Sequence, residues 1–230
     1  MDLTLKGGSL KGTVLAVPLK LMGPVMNVII TSAAVQTAFD IQRNQSVGPL
    51  SIAPFLSLVT CGMIRFSYGV GMGYPSVIIA NLVCTVGGLF CTSIYLKYST
   101  MTRTTAGLIA AVICLVACSW YLAFEGSLET VGIIGDIVTV LLCASPLSTC
   151  MTVISERSTA SMPFAISCAT WVNAMVWLSY GYGVENDLYI YLPNIFGLAL
   201  TSAQMALFAI YGFPDSSDTK LLQMMPIAVK

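Results

Sequence analysis

Apolar residues run along this chain in blocks of roughly twenty, the length a helix needs to cross a bilayer. A window of that size finds seven blocks, at about 13–36, 50–72, 75–97, 105–124, 130–153, 163–183 and 188–212. The polar gaps are short and hold most of the charge. Asp40 and Arg43 fall in the first, Lys97 and Arg103 in the third, Glu125 and Glu129 in the fourth. Glu156 and Arg157 fill the fifth, and Glu185 and Asp187 mark the sixth. The second gap, Gly71-Met72-Gly73-Tyr74-Pro75, carries no charge and reads as a turn of Gly and Pro. The pattern predicts an all-α membrane protein with seven transmembrane helices.

Composition strengthens that prediction. Of 230 residues, 57% are hydrophobic and 9% charged, against about 25% charged in an ordinary soluble domain. Ten Lys and Arg balance ten Asp and Glu, so no basic surface is offered to nucleic acid. Histidine is absent, which removes the commonest general base and metal ligand. The eight cysteines lie inside apolar runs with no CxxC spacing and read as small hydrophobes rather than a metal site. No metal or cofactor is expected. The first apolar run is too long for a signal-peptide core and has no small-residue cleavage site behind it.

Basic residues divide unequally between the gaps. One side holds Arg43, Lys97, Arg103, Arg157, Lys220 and Lys230; the other holds Lys6 and Lys11. The richer side is expected in the cytoplasm, with the N-terminus outside and the C-terminus inside.

The chain repeats itself. Pro54-Phe55 leads to Ser67-Tyr68-Gly69 and then Asn81; Pro163-Phe164 leads to Ser179-Tyr180-Gly181 and then Asn194. The step from Asn81 to Tyr98 equals the step from Asn194 to Tyr211. Each copy follows a helix with a proline, Pro24 or Pro146, so each unit has three helices. Three crossings leave the chain on the opposite face. A second copy in the same orientation therefore needs one more crossing, which helix 105–124 supplies. The expected units are a first repeat over 13–98, a linker helix over 105–124, a second repeat over 130–212 and a cytoplasmic tail over 213–230: two parallel three-helix bundles in a 3-1-3 layout.

This arrangement resembles the SWEET family of sugar transporters, whose bacterial half-size members are semiSWEETs. The resemblance is most specific over 145–211, in Ser145-Pro146-Leu147-Ser148, Met162-Pro163-Phe164, Trp177-Leu178-Ser179-Tyr180-Gly181, Asp187, Pro193-Asn194 and Tyr211. The first half matches more loosely. Its Pro24 and Pro54 stand much farther apart in sequence than Pro146 and Pro163 do.

Candidate residues follow. Asn81 and Asn194 carry amides that both donate and accept, as sugar hydroxyls do. A lone Asn in a membrane helix is usually interhelical glue; a repeat-matched pair suggests a substrate site, and the resemblance implies one. Trp177 could stack on a sugar ring or stand in an interfacial belt, and the resemblance favours the pocket. The matching first-half position is Arg65, and Ser67 stands where many family members carry a pocket Trp, so both join the candidate substrate site. A cation inside a span needs a partner. Asp136 precedes Pro146 by nearly the same step by which Arg65 follows Pro54, so it is the expected partner if the prolines share a depth. The pair is expected either as a structural bond or as part of a pocket or gate. Lys20 is a third intramembrane charge. Pro24, Pro54, Pro146 and Pro163 are expected as hinges of an inner gate. Tyr68, Tyr180 and Asp187 are expected near an outer gate, although no basic residue in the Gly71 to Pro75 turn can pair with Asp187.

The expectation is facilitative uniport of sugars, hexoses such as glucose foremost, by alternating access between the halves. The expected setting is multi-pass in the plasma membrane, as a monomer or homo-oligomer. Two alternatives share the helix count: a seven-helix receptor, against which the repeat speaks, and a proton-coupled transporter using Asp136. An intramembrane enzyme ranks last, because the chain has no His and a single acid within a span.

Overall fold

The computed structural model describes residues 10–142 and 144–213, all of the regular structure among them helical. The expected roles of Lys6, Lys220, Lys230 and most of the tail lie outside the described residues.

Helix α1 (Ala16–Asn44) runs 29 residues and continues well past the expected end near 36. Asp40 and Arg43, read as a gap, sit on its last turns as an i,i+3 pair 3.8 Å apart. No Gly or Pro interrupts that stretch, and the helix stops only where Gln45 turns left-handed at φ 49°. Helix α2 (Ala53–Met72) carries Pro54 in its first turn, where a missing N–H costs nothing, and ends at Gly73 with φ 70°. Helix α3 (Pro75–Tyr98) begins on a proline, and α4 (Arg103–Phe124) is capped by the Thr102 hydroxyl, which accepts from Thr105 N–H at 3.1 Å. The fifth block forms one 29-residue span over Leu128–Glu156, described on either side of residue 143 as α5 (Leu128–Leu142) and α6 (Ala144–Glu156). Helix α7 (Phe164–Ser179) has 16 residues, roughly 24 Å at 1.5 Å each. A π-helical turn (Tyr180–Glu185) extends it to the far side. Helix α8 (Leu188–Tyr211) is capped by Asp187, which accepts from Tyr189 N–H at 2.9 Å.

Six spans are long and apolar enough to cross a membrane unaided, and α7 with its π turn is the seventh crossing. Large side chains face outward where lipid would lie: Ile113 is 61%, Tyr121 63% and Phe124 82% exposed. On α4 only Ser119 is buried. A surface so apolar suits hydrocarbon, not water.

The halves are built alike. Helix α3 packs between α1 and α2, and α8 packs between α7 and the α5–α6 span. Helix α4 rides on α2 and α5, while α1 meets α7 and α2 meets α5 across the middle. In each half the repeated Tyr-Gly step has a packing reason. A Cβ on Gly69 would come within 3.0 Å of Val77, and one on Gly181 within 2.8 Å of Ile190 and Tyr191 N. The second and third helices of each unit touch backbone to backbone there.

The core is uneven from face to face. At the face where α1 starts, here the N-terminal face, one cluster draws on both halves: Ile64, Tyr68 and Val77 with Val131, Tyr180 and Val184. At the opposite face the halves keep separate clusters, one around Ile41, Phe55 and Tyr95, the other around Val153, Met162 and Phe208. The two bundles are thus packed together at one face and apart at the other.

The prolines do not share a depth. Pro24 lies in the N-terminal third of α1, beside Gly23, whose Cβ would meet the Trp177 ring at 2.8 Å. Pro54 and Pro163 lie at the opposite face, in the first turn of α2 and at the N-cap of α7. At helix starts they interrupt no helix, so a hinge role there would act on the loops before α2 and α7. Pro146 lies within the Leu128–Glu156 span. Lys20 is exposed on α1.

Candidate substrate cavity

Helices from both halves leave a cavity of about 240 Å³ at mid-depth. Asn81 on α3 and Asn194 on α8 both line it. Each amide donates to the carbonyl one turn back on its own helix, Asn81 Nδ2 to Val77 at 2.7 Å and Asn194 Nδ2 to Ile190 at 2.6 Å. Val77 and Ile190 line the cavity too. That bond fixes each amide plane while leaving a second N–H and a carbonyl oxygen by its inventory. The two halves present the same group in the same way.

Trp177 lines the cavity with its ring seated on Gly23. Its Nε1–H donates to Asn27 Oδ1 at 3.3 Å, and its ring meets Tyr180 edge-on at 5.5 Å. The indole is buried and polar-anchored, not in an interfacial belt.

Arg65 faces the cavity from α2. Its Nη2 donates to Asp136 Oδ1 at 2.8 Å and to Thr139 Oγ1 at 3.2 Å, both on α5. Its Nη1 donates to the Tyr189 carbonyl on α8. Pro193 stands four residues after Tyr189 and lacks the N–H that would otherwise take this carbonyl. The guanidinium lies flat over Gly135, whose Cβ would reach Nε at 3.5 Å. The cation thus occupies a niche made of second-half groups, and Asp136 stands behind it, off the cavity wall.

Ser67 corrects an expectation. It is 1% exposed, donates to the Ile64 carbonyl at 2.8 Å and faces Ser119 of α4 at 3.4 Å. Two residues past Arg65 on a helix, it points roughly 200° away and does not reach the cavity.

On the N-terminal side the cavity is roofed by a bond between halves and by a second cluster around Glu185. Tyr68 Oη donates to Asp187 Oδ2 at 2.7 Å, and beyond that bond lies a surface depression of about 250 Å³ lined by Tyr68, Tyr74, Asp187 and Tyr189. Tyr180 Oη donates to Glu185 at 3.2 Å, and Lys11 reaches the same carboxylate at 3.4 Å. Asp187 therefore takes a phenol where no basic partner stands. The Tyr74 phenol, in the turn between α2 and α3, is pushed up to about 12, by burial first and then by Asp187 and Glu185. It stays protonated beside those carboxylates.

On the other side the cavity continues. A second space of about 530 Å³ shares Thr139, Asn173, Pro193 and Asn194 with the first. It reaches Pro146, Ser161 and Pro163 near the opposite face.

Sequence reasoning missed Asn27, Asn173, Thr139, Cys61 and Cys84, which also line the cavity. Asn27 spans the halves, donating to the Ala80 carbonyl at 3.3 Å while accepting from Trp177. Asn173 Oδ1 is buried without a hydrogen-bond partner. A spacing rule would have found them: one constant offset along the chain carries Asn27 to Thr139, Cys61 to Asn173 and Arg65 to Trp177. Among the described residues no group of His, Cys, Asp or Glu could hold a metal ion.

Comparison with known proteins agrees with this architecture. The family described as "Sugar efflux transporter for intercellular exchange" matches residues 17–103 and again 129–215, once per half. "Sugar transporter SWEET1" of Rattus norvegicus is 30% identical over 185 residues, 78% of this chain and 82% of that protein. "Bidirectional sugar transporter SWEET14" of Arabidopsis thaliana is 29% identical over 212 residues, 87% of this chain and 74% of that one. A 3.7 Å structure of a eukaryotic SWEET transporter superposes with a TM-score of 0.75 at 26% identity, covering 85% of this chain and 96% of that one. These relatives are transporters, not enzymes. With seven helices in a 3-1-3 layout and a family match in each half, the chain belongs to the SWEET family of sugar transporters.

Proposed function

We propose that this chain carries sugars down their gradient by uniport, with hexoses such as glucose as substrates. The observation that carries the reading is the pair of identically braced amides, Asn81 and Asn194, one from each half, beside Trp177 in one cavity. Amides match hydroxyls as donors and acceptors, and an indole face suits the C–H face of a pyranose. Pockets for drug-sized ligands span about 300–1,000 Å³. The part of the cavity that holds both amides and Trp177, about 240 Å³, is of the scale of one sugar ring.

Alternating access is the mechanism that fits. The moving units are the repeats 13–98 and 130–212, with helix 105–124 as connector. Tyr68 with Asp187 and the Tyr180–Glu185 turn form the closed side; the space near Pro146 and Pro163 forms the open side. Rocking of one half on the other would exchange the two. The membrane is the plasma membrane, with the N-terminus outside, the C-terminus in the cytoplasm and the described closed side outward. Asp136 is held by Arg65, which speaks for uniport over proton coupling.

The test is radiolabelled glucose uptake into vesicles holding the purified chain, with and without a proton ionophore and alongside sucrose. Glucose should equilibrate at the same rate in both conditions and outpace sucrose. Arrest of uptake when the proton gradient collapses would reject uniport.

A further inference from the structure

The cavity wall has one formal charge with its counter-ion set behind it. Arg65 lines the chamber; Asp136, 2.8 Å from its guanidinium, does not. The two side chains are 14% and 13% exposed, so little water screens them. Arg65 is held by acceptors on α5 and α8, including the carbonyl that Pro193 leaves free. Its counterpart in the second repeat is Trp177, which gives the matching wall of the other half its aromatic face. The niche is therefore built for a cation on one side of the chamber, and the cation is cancelled from outside the chamber.

We propose that the Arg65–Asp136 pair sets the charge selectivity of the cavity: paired, it presents a neutral donor surface to uncharged sugars, and Asp136 is the positioning residue that keeps Arg65 from recruiting anions. The proposal rests on the sugar-transport reading above. Removing the carboxylate leaves an uncompensated guanidinium on the wall, and a sugar bearing a carboxylate is the partner that would relieve it. Removing the guanidinium leaves Asp136 uncompensated and favours a sugar bearing an ammonium. A bond that only fastened α2 to α5 would give neither shift.

The measurement is uptake of glucose, glucuronate and protonated glucosamine by vesicles holding wild type, Asp136→Asn, Arg65→Gln and the double variant. Asp136→Asn should raise the glucuronate-to-glucose ratio at least roughly tenfold, the change that about 1.4 kcal/mol produces. Arg65→Gln should raise the glucosamine-to-glucose ratio by a similar factor, and Asp136→Glu and the double variant should return towards wild-type ratios. Either single variant suffices if the other does not fold. Unchanged ratios in a variant that still moves glucose would overturn the proposal. So would loss of all three substrates in both single variants while wild type moves glucose, since that outcome marks a purely structural bond. Failure of wild type to move any of the three would instead reject the transport reading itself.

Discussion

Asn27 shows how one side chain ties the chamber together. It sits on α1, donates to α3 and accepts from the Trp177 indole on α7, so it sets the ring that closes one wall. Replacing it by Ala would leave a buried indole N–H without a partner, at a cost of about 1–3 kcal/mol. Asn27→Ala should lower both the melting temperature and glucose uptake; unaltered uptake would mean that the Trp177 orientation does not matter to transport. Asn81 and Asn194 are legible in the sequence because they are like residues at like positions in apolar surroundings. Asn27 and Asn173 are not, because their counterparts are Thr139 and Cys61: the polarity is shared between halves but the residue type is not. Ser67 misleads for the opposite reason, since a family position two residues along a helix turns to another face.

At the scale of the helix, Pro146 is the proline that lies well inside a span, Leu128–Glu156, and lines the larger space. Pro146→Ala would add the backbone donor that proline lacks and stiffen the span. The expected result is a higher melting temperature with slower glucose uptake; uptake at the wild-type rate would remove this proline from the mechanism. The sequence makes each proline visible but not its depth, because depth depends on where the helix starts and ends. Helix α1 runs to Asn44 through charged residues that look like a gap, which moves Pro24 close to Trp177 and away from Pro54. The π turn at Tyr180–Glu185 is likewise invisible to a periodicity argument. The Arg65 niche was half legible: a buried cation demands an acid, and Asp136 is at hand, but the freed Tyr189 carbonyl emerges only once the halves come together and Arg65 reaches α8.

For the whole molecule, the 3-1-3 layout follows from counting crossings between two copies of one unit, and the sequence carries it in full. Which face is closed does not follow, because it depends on contacts between halves far apart in the chain, Tyr68 to Asp187 and Arg65 to Asp136. In the proposed orientation the shared cluster of Tyr68, Val131 and Tyr180 faces outward. An epitope tag at the N-terminus should then be reached by antibody on intact cells, and one at the C-terminus only after permeabilisation; the reverse pattern would invert the proposed direction of the open side. The central claim is that two halves make one sugar site. Glucose uptake by Asn81→Ala and Asn194→Ala, each reconstituted alone and normalised to folded protein, tests it most directly. Loss of one braced amide should slow uptake by roughly tenfold or more in either variant, about 1.4 kcal/mol of lost interaction. Wild-type uptake by both variants would contradict it.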